Sequence, residues 1–162
     1  MMLVTGATGF VGRALVPELV ANGCQIRALV RKVSPGLPVE VEQVVVDLGE
    51  IEGKVAINDA FVGVDVVIHA AARVHMIQDR SANPLDEFRK LNRDATLALA
   101  GLAADAGVKR FVFLSSIGVN GNNNMKPFGE KDTPNPQEPY AISKSEAEQG
   151  LLVLAKKRVC RW

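Results

Sequence analysis

Thr5-Gly6-Ala7-Thr8-Gly9-Phe10-Val11-Gly12 follows a short apolar run at 2–5. It opens a stretch, 10–21, in which Val11, Ala14, Leu15 and Leu19 recur at helical spacing. A strand, a glycine-rich turn and a helix in that order give each glycine a separate job. One permits the tight turn, one lets a diphosphate approach the backbone, and one lets the helix pack close on the strand. The helix N-terminus then offers unpaired N–H groups and the positive end of its dipole to an anion. A ligand-free turn could carry the same glycines. The Gly-x-x-Gly-x-x-Gly spacing directly after the first strand favours dinucleotide binding, with Gly6, Gly9, Phe10, Val11 and Gly12 at the phosphates.

Working outward, Asn22-Gly23 is a helix stop, and Pro17 is expected to be accommodated or to bend the helix. Strands are predicted at 26–30 and 41–46, separated by a Pro/Gly-rich connection. The nearly continuous apolar run 64–72 reads as a strand covered on both faces. An Ala/Leu-rich helix is predicted over 86–106, opened by Asn83-Pro84 and closed by Gly107. A strand at 111–114, a polar loop over 118–139 and a helix from Tyr140 to about 157 follow. Strands alternating with helices imply right-handed crossovers. The expected fold class is α/β, a doubly wound parallel sheet of the Rossmann type.

The chain has 162 residues, about one domain, with 48% apolar and 23% charged residues. Nineteen basic against 18 acidic side chains leave a net charge of +1, which argues against a nucleic-acid or membrane-surface protein. No apolar run approaches the roughly 18 residues of a membrane span, and no signal-like segment is evident. Cys24 and Cys160 have neither metal-ligand spacing nor the density of a disulfide scaffold, so no metal and a reduced, cytoplasmic setting are expected.

The acidic residue that would hold the adenosine ribose hydroxyls is missing near Val30, where Arg31-Lys32 follow. An arginine there can pair with a 2′-phosphate, so NADP is expected over NAD, although two exposed cations could equally solvate a loop. Asp47 and Leu48, after the third strand, could hold the adenine ring; a turn-capping aspartate is the competing reading.

Tyr140 and Lys144 lie four apart at the start of a helix and share a face. Bringing a phenol from pKa 10 to about 7 takes roughly 4 kcal/mol. One ammonium about 4 Å away supplies on the order of 4 kcal/mol at an effective dielectric of about 20, before desolvation. Tyr140 is the only tyrosine, and its helix follows a strand that ends in Ser115-Ser116. A hydroxyl, a phenol and an amine therefore stand in the order of a proton relay.

TGATGFVG at 5–12, DVVIHAAA at 65–72, Asn92 in KLNRDAT, FVFLSSIGVNG at 111–121 and YAISK at 140–144 span almost the whole chain. Together they resemble the N-terminal part of the extended short-chain dehydrogenase/reductase family. The likeness is to its nucleotide-sugar epimerase/dehydratase branch, and within it to UDP-glucose 4-epimerase-like proteins of bacterial polysaccharide pathways. The resemblance implies Tyr140 as acid/base and Lys144 as its electrostatic partner, also bonding the nicotinamide ribose. Ser116, five residues before Gly121, would bind the reacting sugar oxygen, with Ser115 facing the core. Asn92 would anchor the central helix near the cofactor. Ala70, Ala71 and Ala72 would form a small-residue wall beside it. Asn120 replaces the usual aromatic before Gly121. His69 is expected as a packed strand-end residue, while Arg73 and His75 could touch a diphosphate or simply lie on a solvated loop.

What the resemblance implies is an NAD(P)-dependent enzyme acting on a nucleotide sugar, such as a UDP-hexose, by transient oxidation at C4. Two alternatives remain: an NADPH-dependent 4-keto nucleotide-sugar reductase, and a non-catalytic dinucleotide-binding module. Family members are usually about twice this length. The reading is therefore one NAD(P)-binding domain over 1–162, truncated at its C-terminus and without the substrate domain. A sheet that stopped there would expose an edge, inviting self-association, in the simplest case as a homodimer.

Overall fold

The computed structural model describes residues 1–51, 55–74 and 83–158. Five strands, β1 (Met2–Thr5), β2 (Ile26–Val30), β3 (Glu42–Val45), β4 (Val66–His69) and β5 (Arg110–Phe113), form one sheet in the order β3-β2-β1-β4-β5. Every pairing is parallel. Thr5 stands opposite Leu29 on one side and His69 on the other. The strand order reverses between β1 and β4, so the crevice of a doubly wound sheet opens at their carboxyl ends.

Alternate residues of each strand point to opposite layers. Leu3, Leu29, Val67 and Phe111 join Leu99, Ala103 and Leu151 in one core. Their neighbours Val4, Ala28 and Val30 join Val16, Leu37 and Val41 in the other. Helix α1 (Phe10–Ala21) covers the second layer and runs without a break through Pro17. Helices α3 (Ala95–Asp105) and α4 (Pro139–Arg158) cover the first. Arg27, buried in β2, donates from one guanidinium nitrogen to the carbonyls of Ala60 (2.7 Å) and Val62 (2.9 Å) and pairs with Glu42 through the other (2.9 Å). It thereby fastens the 3-10 helix Val55–Phe61 under the sheet.

Three expectations change. The run 64–72 forms a ladder only over Val66–His69, and Ala70, Ala71 and Ala72 lie beyond the strand. The helix expected over 86–106 begins earlier, as α2 (Pro84–Arg89), and passes through a turn of π-helix at Lys90–Asp94 before α3. The loop after β5 opens with a 3-10 turn, Ile117–Val119. At the β5 edge, Val112 is exposed on the face opposite Phe111, and Leu152 and Val153 are exposed on α4. Among the described residues no helix is long and apolar enough to cross a membrane.

Candidate active site

The glycine turn after β1 is compact because it must be. Gly6 has φ +69°, a left-handed conformation, and a Cβ there would lie 2.6 Å from the backbone of Ala70 and Ala71. A Cβ on Gly12 would collide with the Gly6 carbonyl and sit 2.6 Å from the Ala7 Cα. Gly9 is different: its Cβ would meet only the Gly6 carbonyl, at 3.2 Å. Two of the three glycines thus close the turn, and the third leaves its outer surface open.

Helix α1 starts at Phe10 with no side-chain cap, and its first intrahelical bond runs from the Arg13 amide to the Gly9 carbonyl (3.0 Å). The amides of Phe10, Val11 and Gly12 are consequently unpaired among the described residues and face the crevice mouth with the positive end of the helix dipole. The Phe10 side chain is fully exposed. The Ala70 amide donates to the Thr5 carbonyl (3.2 Å), and the Ala71 amide to the Thr5 hydroxyl (3.2 Å).

A buried chain of hydrogen bonds begins at Thr5. Its hydroxyl lies 2.6 Å from His69 Nδ1, and His69 Nε2 lies 2.9 Å from the Thr96 hydroxyl, which donates to the Asn92 carbonyl (2.8 Å). Thr96 spends its proton on Asn92, so His69 must donate from Nε2 and accept from Thr5 at Nδ1. Burial, and secondarily the Lys144 charge, pushes His69 down from 6.5 to about 3, so it is neutral. Both ring nitrogens are occupied, as expected of a packed strand-end histidine.

Asn92, buried in the π turn, clamps the backbone of Arg73 from both sides. Its Oδ1 accepts from the Arg73 amide (2.8 Å), and its Nδ2 donates to the Arg73 carbonyl (3.0 Å). The same Nδ2 reaches Ser143 Oγ at 3.1 Å, and Ser143 donates to the Tyr140 carbonyl (2.7 Å). These contacts tie the π turn to the loop after β4 and to α4. Arg73 is held in place, with its guanidinium 3.8 Å from Glu87 and 6.0 Å from the Phe88 ring centre. His75 and Cys160 lie outside the described residues.

Tyr140 is half-buried in the first turn of α4, its ring edge-on to Phe88 at 6.1 Å. Lys144, one turn later, is 1% exposed, with Nζ 3.9 Å from the centre of the Phe113 ring. The aromatic face partly offsets the cost of burying the ammonium. Burial still lowers Lys144 from 10.5 to about 8, leaving it charged at neutral pH. Burial raises the Tyr140 phenol. Proximity in sequence suggested that Lys144 alone brings Tyr140 toward neutrality. In the folded chain the ammonium is directed at β4 and β5, and desolvation of the phenol dominates.

Ser116 caps the 3-10 turn, its Oγ accepting from the Gly118 amide (3.2 Å). Gly118 approaches so near the Ala141 methyl that a Cβ on it would be 3.3 Å away, which sets the Ser116 loop against the start of α4. Ser115 does not face the core. It is exposed, lining a cavity of about 310 Å³ with Phe111, Phe113, Glu148, Leu151 and Leu152. Asp47 caps Leu48–Glu50 by accepting from the Gly49 amide through Oδ1 (2.9 Å), while Leu48 packs on the first core. Arg31 directly follows β2 and, with Thr8, Arg13 and Lys32, lines a cavity of about 550 Å³.

Sequence reading missed the parts that hold α4. Glu146 receives Arg89 in a bidentate pair (2.6 and 2.9 Å) and Arg93 at 3.1 Å, fixing α4 to α2 and to the π turn. Phe88, Phe113 and Ser143 were missed as well. An apolar or small residue in a helix or strand carries no sign that it will meet a catalytic side chain.

A glycine turn beside the switch point of a doubly wound parallel sheet is the layout of a dinucleotide-binding fold. The chain belongs to the NAD dependent epimerase/dehydratase family, whose model matches residues 2–161. It is 40% identical over 162 residues to the UDP-glucose 4-epimerase of Vibrio cholerae, covering 96% of this chain and 47% of that one. It is 33% identical to a 4-hydroxy-2-methyl-3-oxo-4-farnesyl-3,4-dihydroquinoline-1-oxide ketoreductase of Stigmatella aurantiaca, covering 92% and 44%. Among solved structures it is similar to the UDP-glucose 4-epimerase of Thermus thermophilus in complex with NAD. That match has TM-score 0.85 and 28% identity, over 99% of this chain and 52% of that one. The chain spans about half the length of the curated relatives it matches.

Proposed function

We propose that this chain is the NAD(P)-binding and acid–base portion of a nucleotide-sugar epimerase acting at C4 of a UDP-hexose. The reading is supported by unpaired α1 amides following β1 at the β1/β4 switch point, and by Tyr140 and Lys144 at the start of α4, against which Gly118 sets the Ser116 loop. The 40% identity to a UDP-glucose 4-epimerase supports the substrate class.

The residues present fit a dinucleotide. The amides of Phe10, Val11 and Gly12 suit a diphosphate, the open surface at Gly9 allows close approach, and Ala70, Ala71 and Ala72 leave room for a flat ring system. When bound, a nicotinamide supplies reversible hydride acceptance. The chain's own residues then manage the proton. Ser116 Oγ orients the sugar oxygen. The Tyr140 phenol, neutral as the fold holds it, is the acid that returns a proton to that oxygen. It serves as base only once positive charge stands near it, and Lys144, charged and one turn further along α4, is the protein's contribution to that charge.

The test is calorimetric titration of the chain with NAD and NADP, followed by interconversion of UDP-glucose and UDP-galactose in a protein carrying it. Tyr140→Phe should remove turnover and leave dinucleotide affinity within about twofold, since it deletes one oxygen outside the phosphate turn. Full turnover in that variant, or no dinucleotide binding by the chain, ends the reading. The ketoreductase relative supports a second reading, a reductase of a 4-keto nucleotide sugar. Stoichiometric loss of NADPH absorbance with substrate would distinguish it from an epimerase, which consumes none.

A further inference from the structure

Lys144 is buried with little polar help. Its ammonium rests 3.9 Å from the centre of the Phe113 ring, and among the described residues no carboxylate lies within 4 Å of it. A buried cation held only by an aromatic face depends on charges further off. Burial lowers Lys144 to about 8, and the charge of Glu148 opposes that fall.

Glu148 stands one turn beyond Lys144, so Tyr140, Lys144 and Glu148 share a face of α4. Side chains on a helix lean toward its N-terminus, which carries Glu148 back toward the turn of Lys144. Phe113 meets both residues: its ring receives the ammonium, and with Glu148 it lines the cavity of about 310 Å³ between β5 and α4. Glu148 is half-buried there and is the one acidic residue of that lining. Two positions earlier, Glu146 is taken by Arg89 and Arg93. Glu148 has no cation within 4 Å among the described residues, so its charge is not cancelled locally.

The other elements around Lys144 offer no substitute. His69 faces it from β4 and is neutral. Arg110 opens β5, at the end of the strand away from Phe113. The turn Ile117–Val119 has no titratable side chain, and α3 has only Asp105, its last residue. In α2 and the π turn, Asp86, Arg89, Arg93 and Asp94 are paired with one another or with Glu146, Glu87 is paired with Arg73, and Lys90 is exposed.

We infer that Glu148 is a positioning residue for the acid–base chemistry of Tyr140, supplying through space the countercharge that holds Lys144 as an ammonium. The inference rests on the proposed function, in which Lys144 is the positive charge that the Tyr140 phenol needs, and it adds a residue that acts on Tyr140 only through that lysine.

The experiment follows the Lys144 ε-methylene by NMR through a pH titration of the 162-residue chain. The Phe113 ring current sets this signal apart from other lysines, and its loss in Lys144→Met identifies it. Glu148→Gln should bring the Lys144 midpoint down from about 8 to between roughly 7 and 7.5. Glu148→Met, neutral and of similar length, should displace it as far, whereas Glu148→Asp, which keeps the charge, should restore most of it. In a protein carrying the chain, the alkaline limb of kcat for interconversion of UDP-glucose and UDP-galactose should move to lower pH in Glu148→Gln. Turnover at about pH 7.5 should then fall roughly two- to threefold, with KM unchanged. An unmoved Lys144 midpoint in both neutral variants would overturn the inference and leave the proposed function standing. A displaced midpoint with an unmoved kcat profile would overturn the positioning role. Absence of turnover in the parent protein would count against the proposed function and, with it, the positioning role, while the NMR titration still decides whether Glu148 is the countercharge of Lys144.

Discussion

Asn92 Nδ2 lies 3.1 Å from Ser143 Oγ, and this buried hydrogen bond joins the π turn to the helix that carries Tyr140 and Lys144. The same amide holds both backbone groups of Arg73, so one side chain sets the distance between the strand-end loop after β4 and α4.

Asn92→Ala should therefore cost about 2–4 kcal/mol of stability, because the Arg73 amide and carbonyl lose the side chain that clamps them and Ser143 Oγ loses a buried donor. Ser143→Ala, which removes one member and leaves the Arg73 clamp, should cost about 1 kcal/mol. Urea unfolding of the two variants measures both; equal losses would mean that the clamp and the link to α4 are not separable.

The glycine turn makes a contrasting pair of variants informative. Gly12→Ala drives a methyl into the Gly6 carbonyl and Ala7, which are backbone and cannot turn aside, so it should destabilise the chain by more than about 2 kcal/mol. Gly9→Ala meets only one oxygen at 3.2 Å and should fold, while losing at least about tenfold in dinucleotide affinity because the phosphates can no longer approach. Thermal melts and calorimetry distinguish the two; a stable Gly12→Ala chain would contradict the packing.

His69 predicts sensitivity to acid. Its folded value, about 3, lies below the unfolded value of 6.5, so the unfolded chain binds the proton first as pH falls. The contribution is complete above 6.5 and is lost progressively toward 3, amounting to about 2 kcal/mol between pH 6.5 and 5. His69→Gln keeps a polar side chain but does not titrate. Its urea midpoint should fall less steeply over that interval than that of the parent chain; parallel slopes would show that other groups account for the loss.

Lys144 predicts the opposite limb. Its folded value of about 8 lies under the ordinary 10.5, so the burial penalty is fully present below pH 8 and is relieved as pH rises to 10.5. The relief is on the order of 3 kcal/mol across the full interval. Lys144→Met, which fills similar space without charge, should remove that component of the slope between about pH 7.5 and 9.5. An unchanged slope would mean that the ammonium is better solvated than its contact with Phe113 implies.

The first half of the chain was read closely because its signals are local. Gly6, Gly9 and Gly12 mark the turn, and the apolar runs at 2–5 and 26–30 coincide with β1 and β2. Legibility fell where a neighbour in space decides. Nothing in Lys90–Asp94 announces a π turn, and the contacts made there, Asn92 with Ser143 of α4 and Thr96 with His69 of β4, join residues far apart in the chain. The run 64–72 is uniformly apolar, yet only four residues of it pair, because the alanines beyond His69 have no strand beside them to match. Tyr140 and Lys144 could be picked out by spacing, but the direction of the lysine depends on Phe113, thirty-one positions earlier in the chain.

The π turn has a practical consequence for anyone recombining this chain with its relatives. A wide turn holds one residue more than the α-helical repeat allows, and a residue is about 100° of helical rotation. Deleting any single position within Lys90–Asp94 would straighten the rod and swing Phe88 and Arg89 around its axis, away from Tyr140 and Glu146. Splice points for chimaeras belong outside Pro84–Asp105, however freely the sequence between them aligns.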